Sequence, residues 1–139
     1  MTNKYTAVAR NKPSRVMRFL DSKSLLVGEV LDFGCGRGFD VKHYHIDGYD
    51  PNWGPVEFPT KKYDTITCNW VLNVVSPKEQ DLIIDQIKGL LKPEGTAYLT
   101  VRREIKEDYV VKDYVQRLVY LDLPTLVKNS DYQIYILRG

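Results

Sequence analysis

Three glycines at alternate positions, Gly34, Gly36 and Gly38, follow the short apolar run Glu29-Val30-Leu31-Asp32-Phe33. Without Cβ atoms, such a backbone turns tightly and lets another molecule approach it closely. A strand that ends in a glycine turn and runs into a helix opens a β-α-β unit, and the rest of the chain repeats that alternation. Phe39 to Tyr44 suffices for two helical turns, His45 to Asp50 predicts a second strand stopped by Pro51, and Tyr63 to Asn69 predicts a third. Ser76-Pro77-Lys78-Glu79 combines a capping-box pattern with proline at the first helical position. Leu82, Ile83, Ile84, Ile87, Leu90 and Leu91 would form that helix's buried face. Lys92-Pro93-Glu94-Gly95 closes it in a turn before the β-branched strand Thr96 to Val101. Residues 102–116 are charged and ambiguous. Arg117 to Leu121 and Tyr132 to Leu137 predict two last strands, joined by Pro124 to Asp131.

A length of 139 residues fits one domain, read here as a basic leader with a short helix over 1–23 and an α/β core over 24–139. The leader carries six cations against Asp21 alone, a local +5 in a chain of net +2. Such an arm either meets phosphates or is a solvated surface. The apolar runs are far shorter than the roughly 20 residues of a membrane span. The N-terminus lacks the apolar stretch of a secretory signal. Cys35 and Cys68 form neither a disulfide framework nor a metal-ligand spacing, so the expectation is a reduced, cytoplasmic protein with no metal and no membrane contact.

In an open parallel sheet, ligands bind outside the carboxyl ends of the strands, where Asp32 to Gly38 falls. A dinucleotide fingerprint needs Gly-x-Gly-x-x-Gly, whereas here the third glycine comes one residue early. The acid in this turn would also repel a pyrophosphate, and the nucleotide loop ending in Gly-Lys-Ser/Thr is absent. Acid-x-Gly-x-Gly-x-Gly instead resembles the first motif of class I S-adenosylmethionine-dependent methyltransferases. Gly48-Tyr49-Asp50-Pro51, Tyr63 to Leu72 and Leu90 to Thr96 resemble that family's later landmarks in order, so the resemblance covers residues 28–101.

The resemblance implies a Rossmann-like, three-layer sheet with an antiparallel C-terminal edge, S-adenosyl-L-methionine as cofactor, and methyl transfer by direct displacement. It places Asp32, Gly34, Cys35, Gly36, Gly38, Asp50, Pro51, Asn69 and Trp70 at the cofactor, with Asp50 accepting the ribose hydroxyls. In that family an N-terminal segment often lies over the cofactor, which brings in Lys12 and Ser14. Tyr5 and Arg10 would face substrate, or lie in a loose tail. Gly36-Arg37-Gly38-Phe39-Asp40-Val41, Gly48 to Pro51 and Val71-Leu72-Asn73-Val74-Val75 also resemble small methyltransferases found in phages and beside DNA-modification systems.

Two departures bear on this. Only twelve residues separate Asp50 from Tyr63, too few for the family's third strand and its helix. Asn69-Trp70-Val71-Leu72 stands where amino-methylating nucleic-acid enzymes carry Asn/Asp-Pro-Pro-aromatic, and both prolines are missing. Trp53 and Trp70 either stack on adenine or pack in the core. Asn69 and Asn73 either touch substrate or serve as caps and turns. Arg102 and Arg103 either bind an anionic substrate or form a solvated or salt-bridged pair. His43 and His45 fall away from the carboxyl ends, so no catalytic base is assigned. The acceptor is left unidentified. A binding subunit that needs a partner, a nucleic-acid enzyme guided by the basic leader, and a homodimer across the sheet edge all stay open.

Overall fold

The computed structural model describes residues 6–139. Its main sheet contains β1 (Val30–Phe33), β2 (Asp47–Tyr49), β3 (Tyr63–Asn69), β4 (Leu91–Arg102), β7 (Thr125–Lys128) and β8 (Tyr132–Arg138), in the order β2-β1-β3-β4-β8-β7. β2, β1, β3 and β4 run parallel, and β8 and β7 add antiparallel to them. β5 (Tyr109–Val111) and β6 (Tyr114–Gln116) form a separate antiparallel hairpin.

Helices α1 (Arg15–Ser22), α2 (Phe39–Tyr44) and α3 (Pro77–Leu90) cover the two faces of the sheet, which is why all four β1 residues are buried. On one face, Ile83, Ile87 and Leu90 of α3 (Pro77–Leu90) pack with Leu31, Phe33, Ile66 and Leu99. On the other, Val16, Met17 and Leu20 of α1 (Arg15–Ser22) pack with Tyr98, Tyr132 and Ile134. Ser14 Oγ accepts from Met17 N and caps α1, and Ser76 Oγ accepts from Glu79 N and caps α3. Leu82 departs from expectation, at 54% exposed. At 100° per residue, Ile83, Ile87 and Leu90 share a narrow stripe, and Leu82 lies well off it.

Residues 50–62 form no strand. Phe58 folds back onto Tyr49 and Phe33, with ring centroids at 5.3 and 6.4 Å, and covers the end of the shortened sheet. The C-terminal region needs two corrections. Arg117 to Leu121 is not a strand, because its amides pair outside any ladder: Arg117 N donates to Asn73 O, Leu118 N to Asp108 Oδ1, and Leu121 N to the Tyr135 hydroxyl. The Pro124–Asp131 connection contains the edge strand β7. β4 also begins at Leu91, because its register with β3 jumps from Tyr63–Leu91 to Thr65–Thr96 around a bulge at Lys92–Gly95.

Candidate functional site

The carboxyl ends of β1, β2 and β3 surround one cavity of about 360 Å³, within the range of small-molecule sites. Its floor is the turn after β1, where Gly34, Gly36 and Gly38 all take positive φ, at 82°, 58° and 81°. A side chain there would be strained at each position. Gly34 N and Cys35 N donate to Tyr49 O at 2.7 and 3.1 Å, so the turn is stitched to the end of β2.

Asp50 follows β2 and is 6% exposed. Its Oδ2 accepts from Gly36 N at 2.9 Å, and its Oδ1 from Asn52 N and Trp53 N at 2.9 and 3.1 Å. The carboxylate thus locks the glycine turn to the following loop at the cavity wall. Trp53 also lines the wall, with the Arg37 guanidinium 4.6 Å from its ring centre. The second strand needs a glycine at position 48: a Cβ there would lie 2.7 Å from Val41 Cγ2 and 2.9 Å from Cys35 Sγ.

Asp32 is buried on β1 and accepts from Thr67 Oγ1 at 2.9 Å. Burial raises its carboxyl to about 7; the Thr67 hydrogen bond opposes this, and Asp40 and Asp50 add to it. Burial likewise pushes Cys35 up to about 12 and raises Cys68, so neither is poised as a thiolate. From residue 6 onward, the leader borders the cavity. Thr6, Ala7, Val8, Arg10 and Ser14 all line the cavity, and Ser14 N donates to Asp40 Oδ1 at 2.9 Å.

The opposite wall is built from Asn69, Trp70, Val71, Val74, Arg102, Tyr114 and Gln116. Asn69 Oδ1 accepts from Thr100 Oγ1 at 2.9 Å. Trp70 has φ +67°, an uncommon conformation for so large a residue, and packs edge-on against Tyr132 with Arg102 5.2 Å from its ring centre.

The cavity therefore gathers Asp32, Gly34, Cys35, Gly36, Gly38, Asp50, Asn69, Trp70, Ser14 and Arg102 of the expected residues. It does not gather Lys12, Pro51, Asn73 or Arg103. Lys12 and Pro51 are exposed. Asn73 is fully buried, its Oδ1 accepting from Arg102 N and its Nδ2 donating to Arg117 O. Arg103 is 5% exposed and donates to Gln133 Oε1 and the Tyr135 hydroxyl, both at 2.8 Å. Both residues brace the C-terminal region. His43 and His45 are exposed outside the cavity, and Tyr5 lies outside the described residues.

Asp40, Tyr114 and Gln116 line the cavity without having been singled out in the sequence. The alternation in Tyr114-Val115-Gln116 was the available signal for a strand face, but nothing local shows where that hairpin folds.

A parallel sheet with an antiparallel C-terminal pair, an alternate-glycine turn and an acid after the second strand define the S-adenosylmethionine-dependent methyltransferase fold. A family model described as "Methyltransferase domain" matches residues 5–128, and the chain belongs to that family. S-adenosylmethionine is its cofactor, and the cavity fits it: glycines at positive φ leave a side-chain-free floor, and Asp50 and Asp32 supply acceptors on either side.

The structure is similar to 1,6-didemethyltoxoflavin-N1-methyltransferase from Burkholderia thailandensis, solved with 1,6-didemethyltoxoflavin and S-adenosylhomocysteine. That match has TM-score 0.62 and 15% identity, covering 87% of this chain and 75% of that one. It is also similar to the N-methyltransferase NodS from Bradyrhizobium japonicum WM9 in complex with S-adenosyl-L-homocysteine, at TM-score 0.54 and 15% identity, covering 89% and 84%. A third likeness is to a structure described by the conversion of a disulfide bond into a thioacetal group during echinomycin biosynthesis. It has TM-score 0.55 and 19% identity over 63% of this chain, which spans 48% of that longer chain. At these identities the likeness is one of fold. The comparison with curated proteins returned no match. No helix among the described residues is long and apolar enough to cross a membrane.

Proposed function

We propose that this chain holds S-adenosylmethionine along the glycine turn and presents its methyl group to an acceptor entering beside Asn69, Trp70 and Arg102. When bound, the cofactor supplies an electrophilic methyl on a sulfonium. The chain's own contribution is alignment in a partly closed cavity, which is the main catalytic need of a direct displacement. Backbone at Gly34, Gly36 and Gly38 admits the cofactor closely. Asp50, already oriented by three backbone amides, keeps one lone pair on Oδ2 for a ribose hydroxyl. Trp53 offers a flat face for a base, and Asp32 an acceptor for the amino group of the methionine moiety. Ser14 and Arg10 close the leader side.

The observation that carries this reading is the meeting of the glycine turn, Asp50 and Asn69-Trp70 around one cavity at the carboxyl ends of three parallel strands. We read residues 1–139 as one such domain acting in the cytoplasm, and the likeness to phage and DNA-modification methyltransferases belongs to the same proposal. Calorimetric titration with S-adenosylmethionine and S-adenosylhomocysteine tests it. Wild type binds both and Asp50→Ala binds neither measurably; failure of wild type to bind either ligand would refute the reading.

A further inference from the structure

Arg37, from the glycine turn, and Trp53, from the loop after β2, meet beside the cavity that both line, with the guanidinium 4.6 Å from the centre of the indole. Arg37 is exposed and pairs with no carboxylate among the described residues, so its contact is the face of the ring. A cation over an indole is held there by the negative face of the π-system. Residues 50–62 form no strand, and their two aromatic side chains go separate ways. Phe58 packs onto Tyr49 and Phe33, and Trp53 lines the cavity.

Both members of the pair hang from one carboxylate. Asp50 Oδ2 accepts from Gly36 N at 2.9 Å, next to Arg37, and Asp50 Oδ1 accepts from Trp53 N at 3.1 Å. Asp50 also closes the loop with its own backbone: its N donates to Pro55 O at 3.0 Å, and its O accepts from Gly54 N at 2.8 Å. The backbone of Trp53 is therefore fixed by Asp50, and its ring by Arg37. Trp53 is 40% exposed. With one face under the guanidinium, the open surface is the other face and the ring edge.

We infer that Arg37 is a positioning residue for the cofactor's base: its guanidinium backs the indole of Trp53, and the opposite face of that ring receives the purine of S-adenosylmethionine. This rests on the methyltransferase reading above. In that reading the free lone pair of Asp50 Oδ2 meets a ribose hydroxyl, and the purine is one glycosidic bond from the ribose. Trp53 is tied to the other oxygen of the same carboxylate, so its ring is within reach of the base. An exposed aromatic side chain loses rotamer freedom when a base stacks on it, and that loss weakens binding. A guanidinium already seated on the ring removes part of the loss before the cofactor arrives. Base and guanidinium then occupy the two faces of one indole, which joins the glycine turn to the loop after β2.

The test uses the whole chain with S-adenosylhomocysteine, adenosine and methionine as probes. The indole N–H resonance of Trp53, identified by its loss in Trp53→Phe, is followed by NMR. S-adenosylhomocysteine and adenosine are expected to shift it, and methionine to leave it in place. In calorimetric titrations, Trp53→Leu should weaken S-adenosylhomocysteine about tenfold, the scale of a lost base–aromatic stack. Arg37→Ala should weaken it about threefold, the scale of an exposed cation–π contact. Because Arg37 acts through the ring, Arg37→Ala should have no further effect in the Trp53→Leu background. Urea unfolding of Arg37→Ala, an exposed site, should match wild type. Three results would overturn the assignment: a Trp53 resonance unmoved by adenosine, tighter binding in Arg37→Ala, which would put the guanidinium on the face the base needs, or an Arg37→Ala effect of the same size with and without the indole. Wild type that fails to bind S-adenosylhomocysteine would instead defeat the methyltransferase reading itself, so the two failures are separable.

Discussion

Replacing Asp32 with asparagine should stabilise the free protein at and above neutral pH while weakening its hold on the cofactor. Asp32 is 5% exposed, and burial lifts its carboxyl from 3.8 to about 7. Between those values the native state keeps a proton that the unfolded chain has released. Stability from this group is therefore full below pH about 4 and is lost as pH rises through about 7. At about 1.36 kcal/mol per pH unit, the interval amounts to roughly 4 kcal/mol. Asparagine mimics the protonated carboxyl, still accepts from Thr67, and carries no charge to desolvate. Urea unfolding of both proteins, followed by tryptophan fluorescence from pH 4 to 8.5, should show curves that nearly coincide at pH 4. They should separate to about 2–4 kcal/mol in favour of Asp32→Asn by pH 8, the lower figure allowing for water entry around the charge. Cofactor affinity should behave in the opposite way. A cationic amino group beside Asp32 favours the carboxylate, so wild type should release a proton on binding S-adenosylmethionine and bind it more tightly as pH rises towards 7. Asp32→Asn should bind more weakly and without that slope. A stability difference that stays constant across the pH range would refute the reasoning, since it would mean that Asp32 ionises as an ordinary carboxyl.

Gly48→Ala should cost about 1–3 kcal/mol by overpacking against Val41 and Cys35, and Val41→Ala should recover part of that in a double-mutant cycle measured by denaturant unfolding. Arg103→Ala should leave Gln133 Oε1 without a donor, strip the Tyr135 hydroxyl of one of its two donors, and cost about 2–3 kcal/mol, visible as a lower Tm, with S-adenosylhomocysteine affinity within twofold of wild type. Ser14→Ala should lose about 1 kcal/mol with the α1 cap, read in the same melt. Asn73→Ala should free the β6 hairpin, so that exchange of the Arg117 amide accelerates by tenfold or more while the glycine-turn amides are unaffected.

The glycine-turn side of the cavity was legible because its determinants are local. Gly34, Gly36 and Gly38 are needed where the backbone takes positive φ, and Asp50 sits at a strand end whose limits Pro51 announces. The loss of the family's third strand also followed from counting residues between Asp50 and Tyr63, and the loop there packs Phe58 in its place. The opposite wall was not legible. Arg102 and Arg103 are adjacent in sequence at a strand end, so their side chains leave opposite faces: one reaches the cavity and the other is buried beneath Tyr120 and Tyr135. For Asn73 the local sequence left substrate contact and a cap or turn role equally open, because its partners lie 29 and 44 positions away.

Local chemistry, then, settled the class of sheet, the glycine floor and the buried acid after the second strand, because turn geometry and strand periodicity depend on neighbours a few residues apart. Which residues close the other wall was decided only in three dimensions. The β5–β6 hairpin has no hydrogen bonds to the main sheet's ladders, and its place over the cavity depends on the long-range ties between Asn73 and Arg117.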